Sequence, residues 1–223
     1  MDNVSRPNEA SVLRRLMVEN QLSPRGIRDP KVLAAFLEVP RHEFIPEAGL
    51  RAAYADYPLP LIEGQTISQP YIVALMTESL DLSAGDKVLE IGAGSGYQAA
   101  ILSRLAKEVY TIERVPALAE RAERTLRRLG YGNVRVILSD GTRGWEESAP
   151  YDAIIVTAAA PHVPAPLLDQ LAEGGRLVIP VGGEYSQDLI VLRKKRGEIE
   201  EEKVCGCVFV PLIGEHGWRG KDV

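Results

Sequence analysis

At 223 residues the chain can bury one α/β core with additions and is short for two complete domains. Its 45% hydrophobic and 26% charged residues, with a mean hydropathy of -0.07, match an ordinary soluble globular protein. No apolar run approaches the roughly 18 residues that span a bilayer, and MDNVSRPNEA at the start lacks a signal-peptide core. A cytoplasmic, membrane-free monomer is therefore expected. A net charge of -5 and a pI near 5.4 argue against a nucleic-acid partner, because phosphate binding calls for an excess of basic residues.

Apolar residues recur at helical spacing from Asn8 to Leu22, with Val12, Leu16, Val18 and Leu22 on the inner face. Asp29-Pro30 is a helix start, an N-cap followed by proline at the first helical position. Val32, Leu33, Phe36 and Leu37 supply its apolar face, and Pro40 ends it. Residues 41–63, rich in Pro, Tyr and Gly, read as irregular connection, and 70–80 is again helical. Beyond Asp86 the pattern becomes regular. Strands are expected at 87–91, 108–113, 133–138, 151–157 and 175–181, with helices at 95–106, 116–129 and 164–172.

Strands alternating with helices predict a Rossmann-like, doubly wound α/β fold, mostly parallel with helices on both faces. Two further strands, 187–195 and 198–212, form a C-terminal hairpin turning at Arg196-Gly197, where Lys194, Lys195 and Arg196 face the acidic run 198–202. The single domain thus divides into a helical cap (1–80), a cofactor core (81–186), and a hairpin and tail (187–223). Cys205 and Cys207, spaced C-x-C on a strand face, are too close for an ordinary disulfide and read as small apolar fillers. No metal site is expected.

The chemistry concentrates at VLEIGAGSG, residues 88–96, where an apolar strand runs into a glycine-rich turn. Glu113 closes the next strand and sits where a ribose diol would lie. Gly92, Gly94 and Gly96 give G-x-G-x-G rather than the dinucleotide G-x-G-x-x-G, and no Walker lysine pattern occurs. A turn without a pyrophosphate grip suits a phosphate-free adenosyl ligand, S-adenosylmethionine. Ala93 and Ser95 complete the turn. Glu90 either accepts from the methionine amino group through water or anchors the loop. Asp140-Gly141 either reads the adenine amino group or closes its strand as an Asx turn. Ahead of Pro70, Thr66 and Ser68 lie just before a helix N-terminus and either bind an anion there or cap the helix.

These segments resemble the protein-L-isoaspartate O-methyltransferase family. VPRHEFIP at 39–46, GQTISQP at 64–70, VLEIGAGSGYQAA at 88–100, SDG at 139–141 and PYDAIIVTAAAP at 150–161 carry the resemblance, with GGRLVIPVG at 174–182 and VFVPLIG at 208–214. It implies that S-adenosylmethionine is the cofactor and that damaged proteins bearing isoaspartyl residues are the substrate. Ser68 corresponds to the active-site serine. Gln65, Thr66, Ile67, Ser68, the 92–96 turn, Glu113, Asp140 and Gly141 correspond to positions lining the cofactor. Tyr71 and Val73 replace histidines of some members, and the tail segment GEHGW differs from theirs.

The implied reaction methylates the isoaspartyl α-carboxylate, and the ester then closes to a succinimide that hydrolyses partly to aspartate. A carboxylate is already ionised at neutral pH, so no general base is needed. His42, His162 and His216 all fall outside the motif segments. Thr66 and Ser68 would face the substrate, and Val208 and Val210 would pair with its backbone as a strand edge. Small residues in TAAAP either leave room for the ligands or pack a tight turn. Two other readings compete: a methyltransferase acting on RNA or a small molecule, and a non-catalytic adenosyl-binding module. The Asn/Asp-Pro-Pro-aromatic segment usual in nucleic-acid amino-methyltransferases is absent.

Overall fold

The computed structural model describes residues 8–219, so the outer ends of the cap and tail lie outside the described residues. Helix α1 (Glu9–Met17) starts at Asn8, whose side chain accepts the Ser11 N–H at 2.8 Å. A π turn follows at Val18–Leu22. Met17, Val18 and Leu22 are buried, whereas Val12 and Leu16 stay more than two-fifths exposed. The expected face was thus displaced: Leu13 and Met17, four apart, face the core, and the wider π turn brings Leu22 back to it five residues later. Helix α2 (Pro30–Glu38) begins as expected, with Asp29 accepting the Lys31 N–H, but Leu37 is exposed and Ala35 takes the buried place.

The irregular stretch contains a helical turn α3 (Leu50–Ala53) and a small unexpected sheet in which β1 (Leu59–Pro60) pairs antiparallel with β2 (Thr66–Ile67). Helix α4 (Pro70–Ser79) leads into β3 (Lys87–Ile91), α5 (Tyr97–Ser103), β4 (Glu108–Glu113), α6 (Pro116–Arg128), β5 (Val134–Leu138) and β6 (Tyr151–Val156). On α6, Leu118, Ala119, Ala122 and Leu126 are buried, while Glu120–Arg124 and Glu123–Arg127 pair along its wet face. Helix α7 (Ala165–Asp169) is shorter than the expected 164–172, and β7 (Leu171–Gly182) begins correspondingly earlier; its early segment pairs with Tyr151 across a register shift.

The hairpin comprises β8 (Gln187–Lys195) and β9 (Glu198–Cys207). Lys195 pairs with Glu200, but Lys194 instead donates to the carbonyls of Leu168 and Leu171, and Arg196 occupies the turn with φ 53°. Strand β9 ends at Cys207, five residues short of expectation. From there the chain crosses the sheet end, where Ala159 donates to Val210 O at 2.8 Å and accepts from Leu212 N at 2.7 Å.

The seven-stranded order is β5-β4-β3-β6-β7-β8-β9, parallel through β7 and antiparallel thereafter. Connections leave β3 toward one edge and return to β6 on its other side, making a switch point between β3 and β6. One face buries Val88, Val109 and Ile155 against α4, α5 and the cap residues Met17, Leu22 and Phe36 in one continuous core. The other buries Leu89, Ile154 and Leu177 against Leu167 of α7. Cap and core therefore share hydrophobic contacts that hold the 59–70 segment over the strand ends. Among the described residues no helix is long and apolar enough to cross a membrane.

Candidate active site

At the switch point the carboxyl ends of β3, β4 and β6 open into a cavity enclosing about 870 Å³, its mouth included. The glycine turn forms its floor. Gly92, Gly94 and Gly96 all have φ between 52° and 97°, the left-handed region that side chains disfavour. A Cβ on Gly92 would stand 2.5 Å from Thr157 Oγ1. Gly92 N and Ala93 N both donate to Ile112 O, at 2.8 and 3.1 Å, and Gly94 N donates to Glu113 Oε2 at 2.9 Å. Gly96 N donates to Ala93 O. Four of the five N–H groups at 92–96 are thus consumed inside this protein, which suits the turn to a ligand without phosphates.

Glu113 is 7% exposed and lines the cavity. Its Oε2 accepts from Gly94 N and its Oε1 from Val115 N at 2.9 Å, which fixes the carboxylate and leaves one lone pair on each oxygen. Gln65, Thr66, Ile67 and Ser68 form the opposite wall, with Ala93, Ser95 and Gly141 below. The cavity also takes in Met76, which no motif marked, Thr157 of the TAAAP segment, and Val73, Phe209, Pro211, Leu212 and Ile213, to which the sequence assigned no cofactor contact. Thr66, Ser68, Thr157, Phe209 and Val210 also line a second cavity of about 1390 Å³, which holds Val208, Tyr71 and Arg25. The two cavities thus share a wall that includes Thr66 and Ser68.

Ser68 does not cap α4. Gln69 is the N-cap residue and makes no side-chain cap bond, while Tyr71 N donates to Asp56 Oδ1 at 2.9 Å. Asp56 therefore occupies the expected anion position at the helix start, and the Ser68 hydroxyl makes no hydrogen bond to a described residue. The Ser68 backbone is held by Arg41, which lies in the VPRHEFIP segment but had no role assigned from sequence. Arg41 is fully buried; its Nε donates to Ala53 O at 2.8 Å, a terminal nitrogen donates to Ser68 O at 2.7 Å, and the guanidinium lies 4.8 Å from the Tyr97 ring centre. Burial lowers its pKa to about 10 despite the opposing influence of Tyr97 and Asp56. Nothing in local periodicity separates a buried arginine from a surface one. Arg41→Lys should lose at least one charge-assisted bond, about 1.5–3 kcal/mol, and at roughly 2–4 °C per kcal/mol a thermal melt should fall by several degrees. An unchanged melt would show that the two carbonyl bonds do not matter.

Glu90, Gly96 and Asp140 do not line the cavity. Gly96 packs against Ala122 and Leu126, where an added Cβ would sit 3.4 Å from each. Asp140 accepts from Thr142 N, Thr142 Oγ1 and Glu215 N, an Asx-type turn extended to the tail. Glu90 is wholly buried, opposite Thr111 in register, and neither carboxylate oxygen has a hydrogen-bond partner. Burial pushes its pKa up to about 8; nearby Thr111 opposes the rise and the Glu113 charge adds to it. A raised carboxylate pKa means the folded state binds the proton more tightly, so stability falls as pH climbs from the ordinary 4.5 toward 8. Glu90→Gln should therefore melt several degrees above the parent at pH 9, and the gap should close at pH 5. A gap of equal size at both pH values would mean that Glu90 does not carry the proton.

Sheet order, switch-point cavity and the pinned Glu113 carboxylate on its wall are those of a Rossmann-like methyltransferase fold. The family model for protein-L-isoaspartate(D-aspartate) O-methyltransferase matches residues 14–217. Protein-L-isoaspartate O-methyltransferase from Geobacter metallireducens is 58% identical over 95% of this chain and 98% of its own, and that from Methanoregula boonei is 59% identical over 96% and 98%. Among solved structures, one protein-L-isoaspartate O-methyltransferase superposes with a TM-score of 0.84 at 34% identity, covering 92% of this chain and 67% of the other. A Plasmodium falciparum protein described as the same enzyme, in complex with S-adenosyl-L-homocysteine, gives 0.79 at 31%, covering 90% and 98%. The chain belongs to the protein-L-isoaspartate O-methyltransferase family.

Proposed function

We propose that this protein transfers a methyl group from S-adenosylmethionine to the α-carboxylate of L-isoaspartyl residues in damaged proteins, starting their return to aspartyl. The observation that carries this is the meeting of the two cavities at Ser68. Glu113 would accept from the ribose diol, the 92–95 turn would hold the methionine moiety, and Gly141 would hold the adenine. The isoaspartyl segment enters along the second cavity, past Val208 and Val210. Because Val210 O already accepts from Ala159 N and Phe209 N donates to Gln187 Oε1, main-chain pairing with the peptide is left to the remaining groups of 208–210.

Bound S-adenosylmethionine would supply an activated methyl group to a carboxylate oxygen, the electron pair of the broken carbon–sulfur bond remaining on sulfur. One negative and one positive charge disappear and no proton moves, so the site needs no base. Ser68 donates to the carboxylate and aims it, with Thr66 beside it. Alignment of the reacting atoms is worth up to roughly 7–11 kcal/mol. Ile67, Val73, Met76 and Phe209 surround the site with apolar atoms, which favours a reaction that loses charge. The enzyme works in the cytoplasm as a monomer on polypeptide rather than nucleic acid. Methyl-labelled cofactor should deliver label to an isoaspartyl peptide as an ester that releases methanol in alkali. An alkali-stable product would refute carboxyl methylation.

A further inference from the structure

We infer that Asp140 is a positioning residue: it latches the C-terminal segment 212–218 over the adenine end of the cofactor cavity, and does not read the base itself. This rests on the cofactor placement proposed above. The Asp140 carboxylate is already engaged. Oδ1 accepts from Thr142 N at 2.9 Å and from Thr142 Oγ1 at 2.7 Å, while Oδ2 accepts from Glu215 N at 2.8 Å. Thr142 Oγ1 in turn accepts from His216 N at 3.1 Å. Asp140, directly and through the Thr142 hydroxyl it holds, thus ties the turn after β5 to two consecutive amides of the tail. Burial alone would raise the Asp140 pKa, but the Glu215 amide, both Thr142 donors and the Arg143 charge hold it below the usual carboxylate range. The latch is therefore charged at neutral pH.

The tail is shaped to meet it. A Cβ on Gly214 would collide with Asp140 Oδ1 and both Thr142 side-chain branches, and one on Gly217 would collide with Leu212 O. Arg143 pairs with Glu215 outside this contact. The loop is closed at its base: Trp218 N donates to Leu212 O at 2.8 Å, and Trp218 Nε1 donates to Ala159 O at 3.1 Å. Ala159 O also accepts from Leu212 N, so the TAAAP turn anchors the other end. The closed loop presents Leu212 and Ile213 to the cavity, facing the side that Gly141 and Ile112 line. Asp140 itself stands behind that wall. A latch reached only through the tail explains why GEHGW needs glycines at its first and fourth positions.

Calorimetric binding of S-adenosylhomocysteine tests the latch on the whole protein. Asp140→Asn must turn an amide N–H toward a donor, and losing one charge-assisted bond should weaken binding about tenfold. Gly214→Ala, changed from the tail side, should do the same. The double variant should be no worse than the poorer single, because both break one coupling. The KM for S-adenosylmethionine should rise by more than kcat falls.

An S-adenosylhomocysteine analogue without the exocyclic amino group separates the latch from direct base recognition. Its binding penalty should be equal in parent and Asp140→Asn. A penalty present in the parent and gone in Asp140→Asn, or an Asp140→Asn protein that binds like the parent, overturns the proposal. Should either variant fail to fold, hydrogen exchange of the parent decides: the Glu215 and His216 amides should be slowed further by S-adenosylhomocysteine, and unprotected amides in the bound state overturn the latch. A parent that binds no S-adenosylhomocysteine refutes the cofactor placement instead.

Discussion

Glu113→Ala is expected to weaken S-adenosylhomocysteine binding by roughly a hundredfold or more while leaving the protein folded. The carboxylate is pinned by the N–H groups of Gly94 and Val115 at 2.9 Å each, and its remaining lone pairs face the cavity. Two hydrogen bonds to an ionised acceptor are worth about 1.5–3 kcal/mol apiece, and each 1.4 kcal/mol is about tenfold in affinity. Alanine also frees Gly94 N, which loosens the turn beneath the ligand. Glu113→Gln should rescue little, because one of its two terminal atoms would turn a donor toward Gly94 N or Val115 N. Isothermal titration measures this directly, and a dissociation constant within threefold of the parent would remove Glu113 from the ribose site.

Ser68→Ala should lower kcat/KM for an isoaspartyl peptide by roughly ten- to hundredfold, the equivalent of about 1.5–3 kcal/mol. Cofactor affinity should change far less, since Ser68 lines both cavities and its hydroxyl is assigned to the carboxylate. The hydroxyl neither caps α4 nor bonds another described residue, so its removal leaves no structural bond broken. Its backbone is fixed separately by Arg41. Steady-state kinetics with the peptide varied at saturating cofactor isolates the effect. Unchanged kinetics would mean that the hydroxyl does not aim the carboxylate.

The central strands β3 and β6 were legible because they are nearly continuous apolar runs buried on both faces; VLEI and AIIV allow few alternatives. The glycine turn and Glu113 were legible because backbone conformation and carboxylate chemistry are local properties. What escaped depended on distant partners. Val12 and Leu16 suit a regular helical stripe, but the π turn at Val18–Leu22 moves the buried face to Leu13, Met17 and Leu22. VFVPLI is a continuous apolar run that reads as a strand, yet Pro211 has no N–H and Ala159 captures the neighbouring main-chain groups. Arg41 carries no local mark of burial, and the role of Asp140 turns on amides 75 residues away at Glu215. For Asp140-Gly141 the sequence left two alternatives open, and Asp140 forms the Asx turn while Gly141 alone reaches the cavity.

The measurement that bears most directly on the proposed activity pairs two peptides identical except for one aspartyl linkage, each incubated with methyl-labelled S-adenosylmethionine and this protein. Label should enter the isoaspartyl peptide and leave the normal aspartyl peptide unlabelled. Label in the normal peptide alone, in RNA supplied in their place, or in none of them despite cofactor binding would contradict it.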